Sequence, residues 1–299
     1  MDTDLEFKNR TQEDFDTTVN NIPNPEEILE VTIYNCKITN LRCLSRLYKL
    51  EKLDITASQF SDVGCLSGLT NLWYLYLGWN RISDLQPLSS LAKLEVLSLK
   101  NNRISDLQHL KGLVKLRELY LRYNKISDVG PLSSLTNLEI LDLDNNEISD
   151  VEPLSGLANL RELYLQWNHI SDVGHLSSLT NLEILNLYNN QISDVKPLRY
   201  LEKLQTLSLS LNSISDVGSL YGLVNLQTLS LYNNPISDVE ALKYMTKLKE
   251  LYIGDFRYAT KILNTIERNK CQFILLESTL PRNYKCPLSN LREFGILGL

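Results

Sequence analysis

Aspartate returns nine times at one fixed interval: Asp62, Asp84, Asp106, Asp128, Asp150, Asp172, Asp194, Asp216 and Asp238, each preceded by serine. Carboxylates in a regular row could bind cations or exchange protons. A simpler chemistry explains all nine at once, because Ser-Asp is a residue pair that caps the start of a helical turn. The aspartates are read that way. Asp142 and Asp144 share one strand face and could hold a cation weakly; an ion pair or solvent exposure is the plainer expectation. Cys43 and Cys65 occupy equivalent places 22 residues apart and are read as a reduced pair, with a disulfide or a stray metal as the alternative. His109, His169 and His175 show no ligand spacing. No glycine-rich phosphate loop, nucleophile elbow or zinc signature occurs. The expectation is a non-enzyme with no catalytic residue, no metal and no cofactor.

A different set of side chains suits recognition. Tyr74, Tyr76, Trp79, Tyr120, Arg122, Tyr123, Asp142, Asp144, Tyr164, Trp167, Tyr188, Tyr232 and Tyr252 lie in or just after short segments where apolar residues alternate. Tyrosine, tryptophan and arginine are the types that dominate binding hot spots. Ser98, Ser208 and Ser230 serve at equivalent places, so the framework does not require large rings there. These residues are the candidate partner-binding face, centred on Tyr120 to Tyr188, with Asp142 and Asp144 beside Arg122 setting polarity. The competing explanation is that tyrosine suits any exposed strand and that the rings stack on one another for stability.

The elements that position this face follow from a strict period. Leu50, Leu72, Leu94, Leu116, Leu138, Leu160, Leu182, Leu204, Leu226 and Leu248 stand 22 residues apart, with Ile28 one step earlier. Ten full repeats fill residues 28–247 without insertion or deletion, and an eleventh begins at Leu248. In the unit 116–137, Leu119 and Leu121 flank Tyr120, the alternation of a short strand with one buried face. Asn124 then turns the chain, and Asn80, Asn102, Asn146, Asn168, Asn190, Asn212 and Asn234 repeat it. Stacked side-chain amides there can bond the backbone groups left over by the bend, so an asparagine ladder is expected. Cys36 and Ser58 replace it in the first two repeats. The stretch from Val129 to Leu135 has apolar residues at intervals of three, which predicts a short 3₁₀ or α turn. A longer period also exists: residues 116–159 and 160–203 are identical at 32 of 44 positions.

The runs ISDVGPLSSLTNL (126–138) and ISDVEPLSGLANL (148–160) resemble the 22-residue class of leucine-rich repeats, which includes bacterial internalins and the regulatory subunit of protein phosphatase 1. The resemblance implies an α/β fold: a right-handed solenoid with a parallel β-sheet on the concave face and short 3₁₀ or α turns on the convex face. It implies a non-enzymatic module that binds a partner protein on the concave aromatic face. An internalin-like adhesin or effector that grips a host protein, or a structural spacer with no dedicated partner, are the alternatives.

Three regions are expected: an acidic N-terminal tail and cap (1–27), the repeat solenoid (28–253) and a C-terminal cap (254–299). The net charge of -6 is concentrated in the first 27 residues, and no basic domain argues for nucleic acid. Residues 1–20 are expected to be mobile, with no helical cap of internalin type. Asn24 is expected to cap a turn at Pro25, a helix is expected over 259–270 and a strand over 271–277, with Cys271 and Cys286 in the closing cap. The start shows neither the basic nor the apolar region of a secretory signal, and no stretch is long and apolar enough to span a membrane. A monomeric cytoplasmic protein is expected, with a secreted or injected bacterial effector as the alternative.

Overall fold

The computed structural model describes residues 3–253 and the strand at 272–275. The chain divides into two compact units, 1–160 and 161–299, each described by itself. In the first unit a parallel ladder runs in chain order through β1 (Asp4–Lys8), β2 (Glu30–Tyr34), β3 (Lys52–Thr56), β4 (Tyr74–Tyr76), β5 (Val96–Ser98), β6 (Glu118–Tyr120) and β7 (Ile140–Asp142). In the second unit β8 (Glu162–Tyr164), β9 (Ile184–Asn186), β10 (Thr206–Ser208), β11 (Thr228–Ser230), β12 (Glu250–Ile253) and β13 (Gln272–Leu275) pair in the same way.

Register is set by the leucines. Leu53 faces Leu75, then Leu97, Leu119 and Leu141, and all five are fully buried. A shift of one residue would send every one of them to the solvent face, so alternative pairings are strongly disfavoured. Leu72, Leu94, Leu116 and the 3₁₀-turn leucines such as Leu88 and Leu132 complete a core of aliphatic columns, one residue of each column per repeat.

The asparagine ladder is present. Asn124 donates from Nδ2 to Leu121 O (2.9 Å) and, in the preceding repeat, to Leu99 O (3.0 Å), while its Oδ1 accepts from Ile104 N (3.0 Å). Asn102 and Asn146 do the same in the first unit, as do Asn190, Asn212 and Asn234 in the second. Cys36 and Ser58 keep the ladder going with other atoms. Ser58 Oγ accepts from Cys36 N at 3.3 Å, and Cys36 Sγ accepts from Arg10 N at 3.3 Å.

The aspartates are structural, but they act one residue earlier than a helix cap. Asp128 Oδ1 accepts from Gly130 N at 2.7 Å, and the remaining eight make the same bond to the second residue on at 2.7–3.0 Å. This is an Asx turn, which delivers the chain into the 3₁₀ turn that follows. Asn40 replaces aspartate in the first repeat and bonds Arg42 N in the same way.

The N-terminus corrects the expectation of a mobile tail. β1 adds a strand to the sheet, and α1 (Gln12–Asn20) follows it. Thr11 and Asp14 bond each other's backbone N–H groups in a capping box, and Phe15 and Val19, one helical turn apart, are fully buried. Phe7 meets Phe15 edge to face at 5.0 Å. Gln12 Oε1 accepts from Thr39 N and Asn40 N at 2.8 and 2.9 Å, which fixes the helix on the first repeat's turn. The helix thus closes the open end of the apolar columns. The Asn24 side chain does not cap the turn at Pro25–Glu27; it bonds Glu27 Oε1 instead. The expected strand over 271–277 is seen as β13. The expected helix over 259–270, and Cys271 and Cys286, lie outside the described residues.

Candidate interaction face

Leucines alternate with the residues of the open sheet face, so each repeat offers that face three successive kinds of position. The third strand residue comes first, then the residue two places past the strand, then the next one, which enters the asparagine turn. In the first unit these are Tyr76, Ser98, Tyr120 and Asp142; then Gly78, Lys100, Arg122 and Asp144; then Trp79, Asn101, Tyr123 and Asn145. In the second they are Tyr164, Asn186, Ser208, Ser230 and Tyr252; then Gln166, Tyr188, Ser210 and Tyr232; then Trp167, Asn189, Leu211 and Asn233.

The structure separates the candidate residues by exposure. Tyr164 is only 7% exposed, and Tyr188, Tyr232 and Tyr252 are each 6% exposed. The hydroxyls of Tyr120, Tyr164 and Tyr252 donate to Glu118, Glu162 and Glu250, two residues back on the same strand face, at 2.6, 2.7 and 3.2 Å. These bonds tie the three rings to their own strands, and Tyr188 packs against Trp167 and Leu211 of the adjoining repeats. Asp142 and Asp144 are buried as well. The exposed members are Tyr74 on β4, Trp79, Tyr123 and Trp167, with Tyr76, Tyr120 and Arg122 half-buried. Burial, with the charges of Glu118 and Asp54 nearby, pushes the Tyr76 phenol above its ordinary pKa.

Two clusters form among these residues. In the first unit the Arg122 guanidinium lies 4.8 Å from the Tyr123 ring centre and donates to its hydroxyl at 3.3 Å. Burial works against the Arg122 charge, but the Tyr123 hydroxyl and the Asp144 and Asp142 carboxylates outweigh it and raise its pKa. In the second unit Trp167 meets Tyr188 at 6.1 Å, and Leu211 also packs against Tyr188. Tyr232 and Tyr252 stand in successive repeats of the same unit.

The sequence reading missed a backbone feature. Trp79 (φ 59°), Tyr123 (φ 57°) and Trp167 (φ 55°) adopt the left-handed conformation, as do Ala57, Leu211 and Asn35, Asn101, Asn145, Asn189 and Asn233 at the same place in other repeats. Asparagine tolerates this region, whereas a bulky side chain there costs about 1–2 kcal/mol. The available signal was the alternation of asparagine with large apolar residues at one repeat position, every second repeat.

Elsewhere, burial pushes the Cys43 thiol up to about 12, aided by a hydrogen bond to Asp16, and the Cys65 thiol up to about 11. Both are free thiols that stay protonated at neutral pH. Among the described residues, no group of three or more His, Cys, Asp or Glu is placed to hold a metal ion, and no helix is long and apolar enough to cross a membrane.

The family model for leucine-rich repeats in two copies matches residues 70–112, 114–156, 158–200, 202–244 and 224–266. The chain belongs to the leucine-rich-repeat family. Among solved leucine-rich-repeat structures, an internalin of Listeria monocytogenes (InlF) is 28% identical, with a TM-score of 0.73 over 89% of this chain and 88% of that one. Internalin C2 of the same organism is 34% identical, with a TM-score of 0.62 over 62% of this chain and 83% of that one. The leucine-rich-repeat ectodomain of the plant membrane receptor kinase GASSHO1/SCHENGEN3 from Arabidopsis thaliana, solved in complex with Casparian strip integrity factor 2, shares the fold at 21% identity. Its TM-score is 0.64 over 84% of this chain and 36% of that one. No curated protein sequence matches the chain. The leucine-rich-repeat fold is a protein-interaction module, and no enzyme family is indicated.

Proposed function

We propose that this chain is a non-enzymatic module that binds a partner protein on its open sheet face, with Trp79 and Tyr123 as the contacts of the first unit and Trp167, taken separately, as that of the second. The observation that carries the reading is the left-handed backbone under three exposed rings. Trp79 is 56% exposed, Trp167 48% and Tyr123 42%. Each keeps large apolar area in water and a strained backbone, where asparagine would relieve both costs and does so in the neighbouring repeats. A fold-stabilising role does not explain such a residue; contact with a second molecule does. Tyr74, Tyr76, Tyr120 and Arg122 extend the contact area; Tyr188 packs against Trp167, Asp144 and Asp142 act on the Arg122 charge, and Tyr164, Tyr232 and Tyr252 are buried. The plant receptor ectodomain, solved with a protein ligand, supports the same use of this fold.

The likeness to two Listeria internalins favours one biological setting, an adhesin or effector that grips a host protein. Affinity capture with quantitative mass spectrometry separates binding from a mere spacer role. Trp79→Asn, Tyr123→Asn and Trp167→Asn, alone and combined, should deplete the captured partner. The pair Tyr200→Ser and Tyr244→Ser, exposed on the opposite turns, should leave it. Equal recovery by wild type and all variants would end the proposal. Tyr164→Ala is a poor probe, because it removes a buried ring and its bond to Glu162.

A further inference from the structure

Three consecutive turns of the first unit read Gly-Trp-Asn-Arg (78–81), Lys-Asn-Asn-Arg (100–103) and Arg-Tyr-Asn-Lys (122–125). They bring Arg81, Lys100, Arg103, Arg122 and Lys125 into three successive repeats; the turn residues themselves include no Asp or Glu, although Asp144 and Asp142 act on Arg122 and Asp54 on Lys100. The next turn, Asp-Asn-Asn-Glu (144–147), reverses the sign. In the second unit the equivalent turns are Gln-Trp-Asn-His (166–169), Tyr-Asn-Asn-Gln (188–191), Ser-Leu-Asn-Ser (210–213) and Tyr-Asn-Asn-Pro (232–235), and none carries Lys, Arg, Asp or Glu. A concentration of cations therefore stands against the net charge of -6 of the whole chain.

The turns are locked side by side by backbone bonds. Trp79 N donates to Lys100 O and Asn101 N to Arg122 O, each at 2.8 Å; Arg103 N donates to Ile82 O and Lys125 N to Ile104 O, each at 2.9 Å. Lys100 lies against Gly78, where even a Cβ would come within 3.1 Å of its Cγ. Arg81, Lys100, Arg103 and Lys125 are exposed, and among the described residues none of the four forms an ion pair with Asp or Glu. By contrast, Arg117 on the flank of the same repeats has Glu139 as its partner at 2.5 Å. Arg122 Nε is buried and has no hydrogen-bond partner among the described residues. Like charges at this spacing repel one another, and a buried donor without an acceptor carries a desolvation cost. The repulsion falls when carboxylates arrive from outside.

We infer that this patch recognises a short acidic segment of a partner protein. Carboxylates lie along Arg81, Arg103 and Lys125, and an apolar side chain sits between Trp79 and Tyr123. The inference rests on the binding face proposed above and adds the charge of what it binds. Adjacent strands are about 4.8 Å apart, so Arg81 and Lys125 span roughly 10 Å, the reach of about four extended residues. Arginine takes carboxylates in a two-pronged geometry, and a guanidinium already stacked on Tyr123 is held in place for it. Nucleic acid fits less well. Asp144 and Glu147 end the row, and the exposed Asp84, Asp106 and Asp128 follow Arg81, Arg103 and Lys125 by three positions, so a longer phosphate chain would meet carboxylates.

Fluorescence anisotropy on the full chain tests this with three probes. One is a short labelled peptide alternating Glu and Ser around a central Leu pair, one is its Lys-for-Glu counterpart, and one is a short oligothymidine. The Glu peptide should bind saturably and weaken as salt is raised, and the Lys peptide should not bind. Arg103→Glu with Lys125→Glu should weaken the Glu peptide roughly tenfold or more while the melting curve stays put. The equally charged change Lys196→Glu with Lys203→Glu, on turns of the second unit, should leave binding unchanged. Equal binding of the Glu and Lys peptides, equal losses in the two charge-reversed proteins, or tighter binding of oligothymidine than of the Glu peptide overturns the inference. Trp79→Asn with Tyr123→Asn keeps the two readings apart. If it abolishes peptide binding and charge reversal does nothing, the rings bind and the acidic preference is wrong. If charge reversal abolishes binding and the ring exchange does nothing, the proposed role of the rings is wrong.

Discussion

At the scale of single residues, the balance between comfort and contact is set by the position that enters the asparagine turn. Replacing Trp79 or Tyr123 by asparagine should leave the melting temperature unchanged or raise it, by up to about 1 kcal/mol of stability, because the left-handed strain is relieved. A clear loss of stability would show that the rings serve the fold. Asp54 offers a second test. Burial raises its carboxyl pKa, against the lowering influence of Thr56, which donates to it, and of Lys100 and Lys52. A raised pKa means that the folded state holds the proton more tightly than the unfolded chain. The penalty from Asp54 is therefore fully present above the raised value and disappears as pH falls toward the ordinary 3.8. Asp54→Asn should stabilise the protein at neutral pH, and urea titrations should show its advantage shrinking as pH falls. An advantage that grows toward acid would contradict the burial argument.

At the scale of elements, α1 closes one end of the apolar columns. Phe15→Ala removes a fully buried ring that meets Phe7 and should cost about 3–5 kcal/mol, read as a lower urea midpoint. It should also expose the end of the sheet and promote aggregation, visible by light scattering. An unchanged midpoint would mean that the helix does not serve as a cap. The repeats were legible beforehand because leucine spacing, the turn asparagine and Ser-Asp are local signals that recur ten, eight and nine times. The helix was not read, although Thr11, Asp14 and the Phe15–Val19 interval carry it, because a nine-residue helix in an acidic stretch has no repeats to average over. The candidate face was half legible. Alternation placed its residues on the open side, but alternation alone does not tell buried rings such as Tyr164, Tyr188, Tyr232 and Tyr252 from exposed ones. The left-handed aromatics needed backbone angles, and the run of cations became a patch only once the turns were stacked.

At the scale of the molecule, nearly every stabilising contact described above links a repeat to its immediate neighbour. Stability in such an array is close to a sum of nearest-neighbour contributions. Leu119→Ala, in β6, should cost about 2–5 kcal/mol. Within the first unit, amide exchange should speed up most in β5, β6 and β7, and least in β1 and β2. Uniform acceleration across the unit would mean that it unfolds all at once. The same additivity confines the cost of the strained rings to their own repeats, so the face can vary without loosening the columns behind it.

Large apolar residues occupy the turn-entry position at 79, 123, 167 and 211, and asparagine at 101, 145, 189 and 233. The heritable unit is therefore a pair of repeats. A gene that gains or loses a block of two repeats by slippage keeps reading frame, ladder and core, and changes only how many large side chains stand at this position. Gaining a single repeat would keep the fold but break the alternation. Lineages that lengthen or shorten this face should do so in even steps.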